Sequence, residues 1–277
     1  MDIIQAIIIG IVQGLTEFLP VSSSAHLVFI QNILGVESSL AFDTFLHLGT
    51  LIAVMWFFRY DIIKMIKSWI LSIEDLIQGR FQEGFYKDPY KRLAWYVILA
   101  TIPVGIVGVL FEDSVDALFS GALYVPAFFL FVTGTILYLS QRMASGNINM
   151  DNISKRQALL MGLGQACAIL PGLSRSGTTI AAGLVAGLDK EFAAKFSFIL
   201  SIPAILGAFL LQAKDIGSAM DANFLPIILG FIASIIAGYM AIKWMLDLIR
   251  NRSLDIFAYY CWVVGIVVFM GSIAHIF

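Results

Sequence analysis

Six stretches of this chain, residues 41–58, 93–111, 121–140, 196–212, 224–246 and 256–277, are apolar over roughly the 18–20 residues a helix needs to cross a bilayer. Hydrocarbon offers no partner for backbone N–H and C=O groups, so each stretch must satisfy its own as a helix. The fold class that follows is an all-α polytopic membrane protein with six transmembrane helices in one integral membrane domain, residues 1–277. Composition agrees: 60% hydrophobic and 13% charged residues cannot clothe a soluble domain of this length. A net charge of −2 supplies no basic patch, which argues against nucleic acid and leaves membrane lipid as the expected surroundings. The run Ile3–Leu19 has no basic residue before it and no small-residue cleavage site after it, so it reads as mature protein, not a signal peptide.

Positive charge orients the spans. Arg59 to Arg92 carries seven Lys or Arg residues, while Arg142 to Arg156 and Lys243 to Arg252 carry three each. Glu112–Gly121 carries none, with three acids. The positive-inside rule places the first three segments in the cytoplasm. Six spans threaded through them put both termini outside, with Gly35–Leu40, Glu112–Gly121 and Lys214–Asn223 on the outer face. Asp61–Ile77 alternates apolar and charged residues at helical spacing and reads as an amphipathic helix on the cytoplasmic surface.

Two further apolar stretches, 3–35 and 157–188, are each broken at the centre by Leu-Pro followed by hydroxyl residues. Each reads as a re-entrant helix hairpin, the first entering from outside and the second from the cytoplasm. Each is followed by three spans, and Leu19-Pro20-x-x-Ser23 matches Leu170-Pro171-x-x-Ser174. The expectation is an inverted-topology repeat with halves of about 1–141 and 155–277, whose two oppositely oriented hairpins meet at one site.

The two breaks also hold most of the chain's chemistry, and ionisable groups at membrane depth point to function. Gln13 and Glu17 lie four apart, on one helix face. Glu17 could take a proton or hold a divalent cation, which prefers oxygen ligands. Ser22, Ser23 and Ser24 precede a new apolar helix, and Ser174 opens another, an N-cap grammar in both places. Two helix N-termini facing one site favour an anion. Arg175 lies among Ser174, Ser176, Thr178 and Thr179 and can grip phosphate bidentately, although a plain ion pair with Glu17 is the alternative. His26 follows the serines closely enough to reach Ser23 as a base or acid, and Ser23 is the most attractive nucleophile, with direct attack by water left open. His47 could bond into the same polar centre or simply join two helices. His275 reads as interfacial. Cys167 and Cys261 are far apart in apolar sequence and read as small hydrophobes. Gly49, Gly105, Gly108, Gly207 and Gly238 read as places of close helix packing.

Gln13-Gly-Leu-Thr-Glu-Phe-Leu-Pro-Val-Ser-Ser-Ser-Ala-His26 and Pro171-Gly-Leu-Ser-Arg-Ser-Gly-Thr-Thr179 resemble the two signature motifs of the undecaprenyl-pyrophosphate phosphatase, or bacitracin-resistance, family. The resemblance runs along nearly the whole chain. It implies hydrolysis of a C55 polyprenyl diphosphate to the monophosphate, recycling the lipid carrier of cell-wall glycans in the bacterial plasma (inner) membrane. It also implies a divalent cation, Mg or Ca, and a site open to the outer face; a homodimer is left open. Carried over by motif, Glu17, Ser23, His26 and Arg175 would be catalytic, with Glu17 also at the metal. Gln13, Ser22, Ser174, Ser176 and Thr179 would bind substrate. Many members have Glu where this chain has Gln13, which leaves Glu17 as the one acid of the motif, and Ser24-Ala25 stands where Thr-Gly is common. An alternative of a different class is a lipid-phosphate or anion transporter, since paired broken helices in an inverted repeat also build those.

Overall fold

A computed structural model describes residues 1–37, 40–111, 123–144, 146–219 and 224–274. Among the described residues there are twelve α-helices and no strands, only an isolated bridge between Ile148 and Leu188. In chain order they are α1 (Ile3–Phe18), α2 (Ser23–Ile33), α3 (Leu40–Phe57), α4 (Arg59–Ile77), α5 (Phe81–Lys87) and α6 (Pro89–Leu110). There follow α7 (Tyr124–Met143), α8 (Lys155–Cys167), α9 (Arg175–Val185), α10 (Lys190–Ala219), α11 (Phe224–Asn251) and α12 (Asp255–Ile273).

Five helices, α6, α7, α10, α11 and α12, are long and apolar enough to cross a membrane, and α3 makes a sixth when taken with α4, from which it is bent by 80°. The bend falls where the apolar run meets Arg59, so α4 leaves the direction of α3. Helices α10 and α11 run past the expected spans to Lys190 and Asn251, because charge limits residence in lipid without breaking a helix. The expected outer segments Glu112–Gly121 and Lys214–Asn223 fall wholly or partly outside the described residues, as do Ser38 and Ser39 of the first outer segment and His275.

Helix α4 exposes Ile63, Ile66, Ile70, Ile73 and Ile77, spaced three and four apart on one face, and buries Met65 and Ser72 on the other. Its buried side is pinned to α6, where Trp95 Nε1 donates to Ser72 Oγ at 2.9 Å and Tyr90 Oη donates to Asp61 at 3.1 Å. The isoleucine stripe is left for a lipid boundary, as an amphipathic surface helix requires.

The two expected helix breaks are present. Asp2 and Gln5 form a capping box that starts α1, and Ser154 and Gln157 form one that starts α8. Helix α1 stops before Leu19-Pro20, and α2 restarts at Ser23; α8 stops at Cys167, and α9 restarts at Arg175. The first arm of each pair packs on a span distant in sequence, α1 on α11 and α8 on α6. Small residues allow these approaches: Gly10 lies against Gly230 and Gly162 against Ala100. Helices α7 and α12 pack tightly together. A Cβ at Gly134 would fall 2.7 Å from the Ala258 carbonyl oxygen, and one at Gly265 would fall 2.9 Å from that of Ala127. Helix α3 packs on α10 and α11, and Phe18 meets Phe198 edge to face at 5.4 Å in the buried core behind the first break.

Candidate functional site

Glu17 is the hub of the polar centre. It sits on the last turn of α1, is 6% exposed, and has four side chains around its carboxylate. Arg175 Nη2 donates to Oε1 at 2.7 Å. Ser23 Oγ donates to Oε2 at 2.7 Å, Gln13 Nε2 donates to Oε2 at 3.0 Å, and His47 Nε2 lies 3.6 Å from Oε2. A carboxylate stripped of water costs several kcal/mol, roughly, unless paired and bonded, and here it is both. The pairing joins distant parts of the chain, since Glu17 and Arg175 are 158 residues apart.

Two loops, Leu19–Ser22 and Ala168–Ser174, bring these groups together. They bond directly: Ser176 Oγ donates to the Leu19 carbonyl at 3.2 Å, and Gly172 N donates to Ser24 Oγ at 3.3 Å. In the first loop Ser22 takes φ 66°, ψ 97°, the one positive φ among the described non-glycine residues, and its Oγ accepts from Ala25 N at 3.4 Å to cap α2. In the second, Gly172 has φ +93° and backs onto Pro126 of α7, leaving no room for a side chain. Ser174 Oγ caps α9 by accepting from Gly177 N at 3.0 Å. Both helix N-termini therefore open at the same place, with their unpaired N–H groups and positive dipole ends.

The hydroxyls around Arg175 are nearly all bonded. Ser174 Oγ and Ser176 Oγ are 3.2 Å apart; Thr178 Oγ1 donates to the Ser174 carbonyl at 2.9 Å, and Thr179 Oγ1 donates to that of Arg175 at 2.7 Å. Ser197 of α10 meets Thr179 hydroxyl to hydroxyl at 2.5 Å and accepts Arg175 Nη1 at its carbonyl at 3.2 Å. These contacts fix the guanidinium while using two of its five N–H donors on protein acceptors.

Every expected site residue lies on this constellation or borders it, but one relation differs from the sequence expectation. His26 does not sit on Ser23. As the fourth residue of α2 its ring turns back, placing Nδ1 2.8 Å from the Ser22 carbonyl, while Nε2 lies 2.8 Å from the Tyr260 hydroxyl of α12. His47, by contrast, reaches the hub, its Nδ1 bonded to the Asp43 carbonyl at 2.8 Å. Sequence reasoning passed over Thr133 of α7, which accepts from Ser174 N at 3.0 Å and lies 3.2 Å from the Gly172 carbonyl. It also passed over Ser197 and Tyr260, since polar residues inside long apolar helices are commonly plain interhelical contacts.

The side chains that would hold an oxygen-binding cation are Gln13, Glu17 and Ser23. Glu17 can only accept, so Gln13 must turn its amide nitrogen toward it; this leaves Gln13 Oε1 buried with no hydrogen-bond partner. That orphan acceptor, the Glu17 carboxylate and Ser23 Oγ are oxygens, the donor type that hard divalent ions prefer. Among the described residues no three His, Cys, Asp or Glu side chains cluster as a metal site, so neutral oxygens would complete the shell.

Fold and site define a polytopic helical membrane protein with a buried acid–arginine centre built where two helix N-termini meet. The chain belongs to the family described as Bacitracin resistance protein BacA, whose pattern it matches over residues 6–267. It is 77% identical to the undecaprenyl-diphosphatase of Methanobrevibacter smithii over the full length of both chains. It is 50% identical to that of Methanosphaera stadtmanae over 99% of each chain, and 42% identical to that of Halothermothrix orenii over 97% of each.

Proposed function

We propose that this protein hydrolyses undecaprenyl diphosphate to the monophosphate and inorganic phosphate. The observation that carries the reading is the convergence of Arg175, Ser23 and Gln13 on Glu17 at two capped helix N-termini. Diphosphate hydrolysis needs positive charge and N–H donors around a spreading negative charge, with a nucleophile held in line. Arg175 and the α9 N-terminus supply the first, and Ser23 the second. Ser23 Oγ attacks the terminal phosphorus, its proton passes to Glu17 Oε2, and the bridging P–O bond breaks to release the lipid monophosphate. Water then attacks the phosphoseryl phosphorus as His26 takes its proton, the Ser23 Oγ–P bond breaks while Glu17 returns its proton to Ser23 Oγ, and inorganic phosphate leaves. A divalent cation held by Gln13 and Glu17 would neutralise phosphate oxygens during these steps.

The same reading extends to architecture. Helices α1, α2, α8 and α9 have 16, 11, 13 and 11 residues, and even the longest reaches only about 24 Å at 1.5 Å per residue, short of a bilayer core of about 30 Å. They suit two re-entrant hairpins of opposite orientation. An inverted repeat is supported by packing contacts that exchange between halves. Gly134 lies seven residues after Ala127, and Gly265 seven after Ala258, and each glycine packs on the other half's alanine. Likewise Gly10 and Gly162 open the same Gly-x-x-Gln step in α1 and α8, and pack on α11 and α6, the second spans of the opposite halves. The site would open to the outer face of the plasma membrane, with the polyprenyl tail leaving between spans into lipid.

The test is phosphate release from undecaprenyl diphosphate by purified protein in detergent, with and without Mg²⁺ or Ca²⁺, beside Arg175→Ala. Turnover that falls by about a thousandfold or more in the variant is expected for a lost charge clamp. Wild-type protein that binds the lipid without releasing phosphate would refute the reading.

A further inference from the structure

His26 Nδ1 faces a carbonyl oxygen, that of Ser22, at 2.8 Å. A carbonyl only accepts, so Nδ1 must carry the hydrogen, and in the neutral ring Nε2 is left as the lone-pair nitrogen. The atom that meets this lone pair is the Tyr260 hydroxyl at 2.8 Å, which must therefore be the donor. The two rings also stack, with centroids 5.6 Å apart and planes 11° from parallel. The Ser22 carbonyl thus sets the tautomer, and Tyr260 constrains the ring in two further ways, by a hydrogen bond to Nε2 and by a ring face that sets the plane. The helix that carries the phenol is anchored at its neighbour. Cys261 is buried and its thiol lies 3.7 Å from the carbonyl of Pro20, so α12 grips the first loop immediately beside the histidine contact.

We infer that Tyr260 is a positioning residue for the hydrolysis, holding the His26 ring in place so that the Nε2 lone pair, which the Ser22 carbonyl contact fixes there, keeps one direction. The inference rests on the assignment of His26 to proton handling. A base for water needs its lone pair on the nitrogen that the water can reach, and a histidine with a free choice of tautomer presents it only part of the time. The Ser22 carbonyl removes that choice, and the phenol fixes the ring that carries the lone pair. A water that takes over the phenol's bond meets a nitrogen already carrying the lone pair along the same direction. Tyr260 is 44% exposed, so its ring can yield that place without unpacking the core.

The chain has three histidines, which makes the experiment readable. Protein labelled with ¹⁵N-histidine is compared as wild type and Tyr260→Phe, with His26 assigned from the signal missing in His26→Gln. Steady-state phosphate release is measured for both variants and for the double variant. Phenylalanine keeps the stack and removes the donor. The expected result is a kcat lower by about tenfold with KM within about twofold, as for the loss of an orienting partner, and a His26 Nε2 resonance shifted by loss of the phenol's hydrogen bond while Nδ1 keeps its hydrogen. In the His26→Gln background the same change should have no further effect, because Tyr260 acts through His26. A Tyr260→Phe enzyme with wild-type kcat, or one equally impaired when His26 is already absent, overturns the inference. Wild-type turnover by His26→Gln would instead overturn the role of His26 on which it rests.

Discussion

The two loops at the centre of the molecule follow one grammar and spend it differently. Each ends a helix, passes a Leu-Pro and restarts behind a serine N-cap. The second places its left-handed backbone at Gly172, where a glycine is relaxed, and keeps its reactive side chain, Arg175, inside the following helix. The first places positive φ on Ser22, a residue that resists it, with Ser23 and His26 directly after. Strain of about 1–3 kcal/mol at such a position persists only where surroundings impose it, and it gathers at functional sites. The second loop thus reads as a cradle held by scaffold, through Thr133 and Pro126, and the first as the strained element that presents the nucleophile.

Experiments can break that contrast. After Arg175→Ala, the largest effect is expected from Glu17→Gln, which keeps the shape of the hub but removes the charge that Arg175 and Ser23 both engage; phosphate release should fall by about a hundredfold to a thousandfold. Activity within tenfold of wild type would remove Glu17 from the chemistry. Next is Gly172→Ala, whose Cβ would fall 2.7 Å from Pro126 Cα at a φ of +93°. It should cost about 1–3 kcal/mol or more, seen as a lower unfolding temperature in detergent together with lost activity. Unchanged stability would show that the cradle is not held by α7. Thr133→Val preserves shape and removes the hydroxyl that Ser174 N donates to; about a tenfold loss of kcat/KM is expected, restored by Thr133→Ser. The smallest change belongs to the first loop's side: Gln13→Glu should keep activity within about threefold while tightening the dependence on divalent cation, measured by titrating Mg²⁺ or Ca²⁺.

Much of this was legible beforehand, for physical reasons that can be named. Spans are set by apolar length and breaks by proline with capping serines, both local properties, so the positions of α6, α7, α10, α11 and α12 and of the two breaks follow from short windows of sequence. Arg175 and Glu17 are conspicuous because charge is scarce in such a chain. What stayed hidden depends on helix rotation and on neighbours far along the chain. Ser23 and His26 are near in sequence, yet the turn of α2 sends the imidazole to Ser22 and Tyr260. Thr133 and Ser197 look like ordinary threonine and serine in apolar helices until the packing of α7 and α10 sets them against the second loop. The span expected over 41–58 ends where the sequence places its end, at Phe57, and the chain there bends by 80° into α4.

The central claim is that two loops from opposite halves of the chain act as one catalytic unit through the Glu17–Arg175 contact. A double-mutant cycle on phosphate release tests it most directly, comparing Glu17→Gln, Arg175→Ala and the pair in protein shown to be folded. Residues that work as a unit lose nearly everything with the first removal, so the double variant should be about as slow as the slower single one. Losses that multiply would mean that the two residues act independently and that the contact between the loops is structural alone.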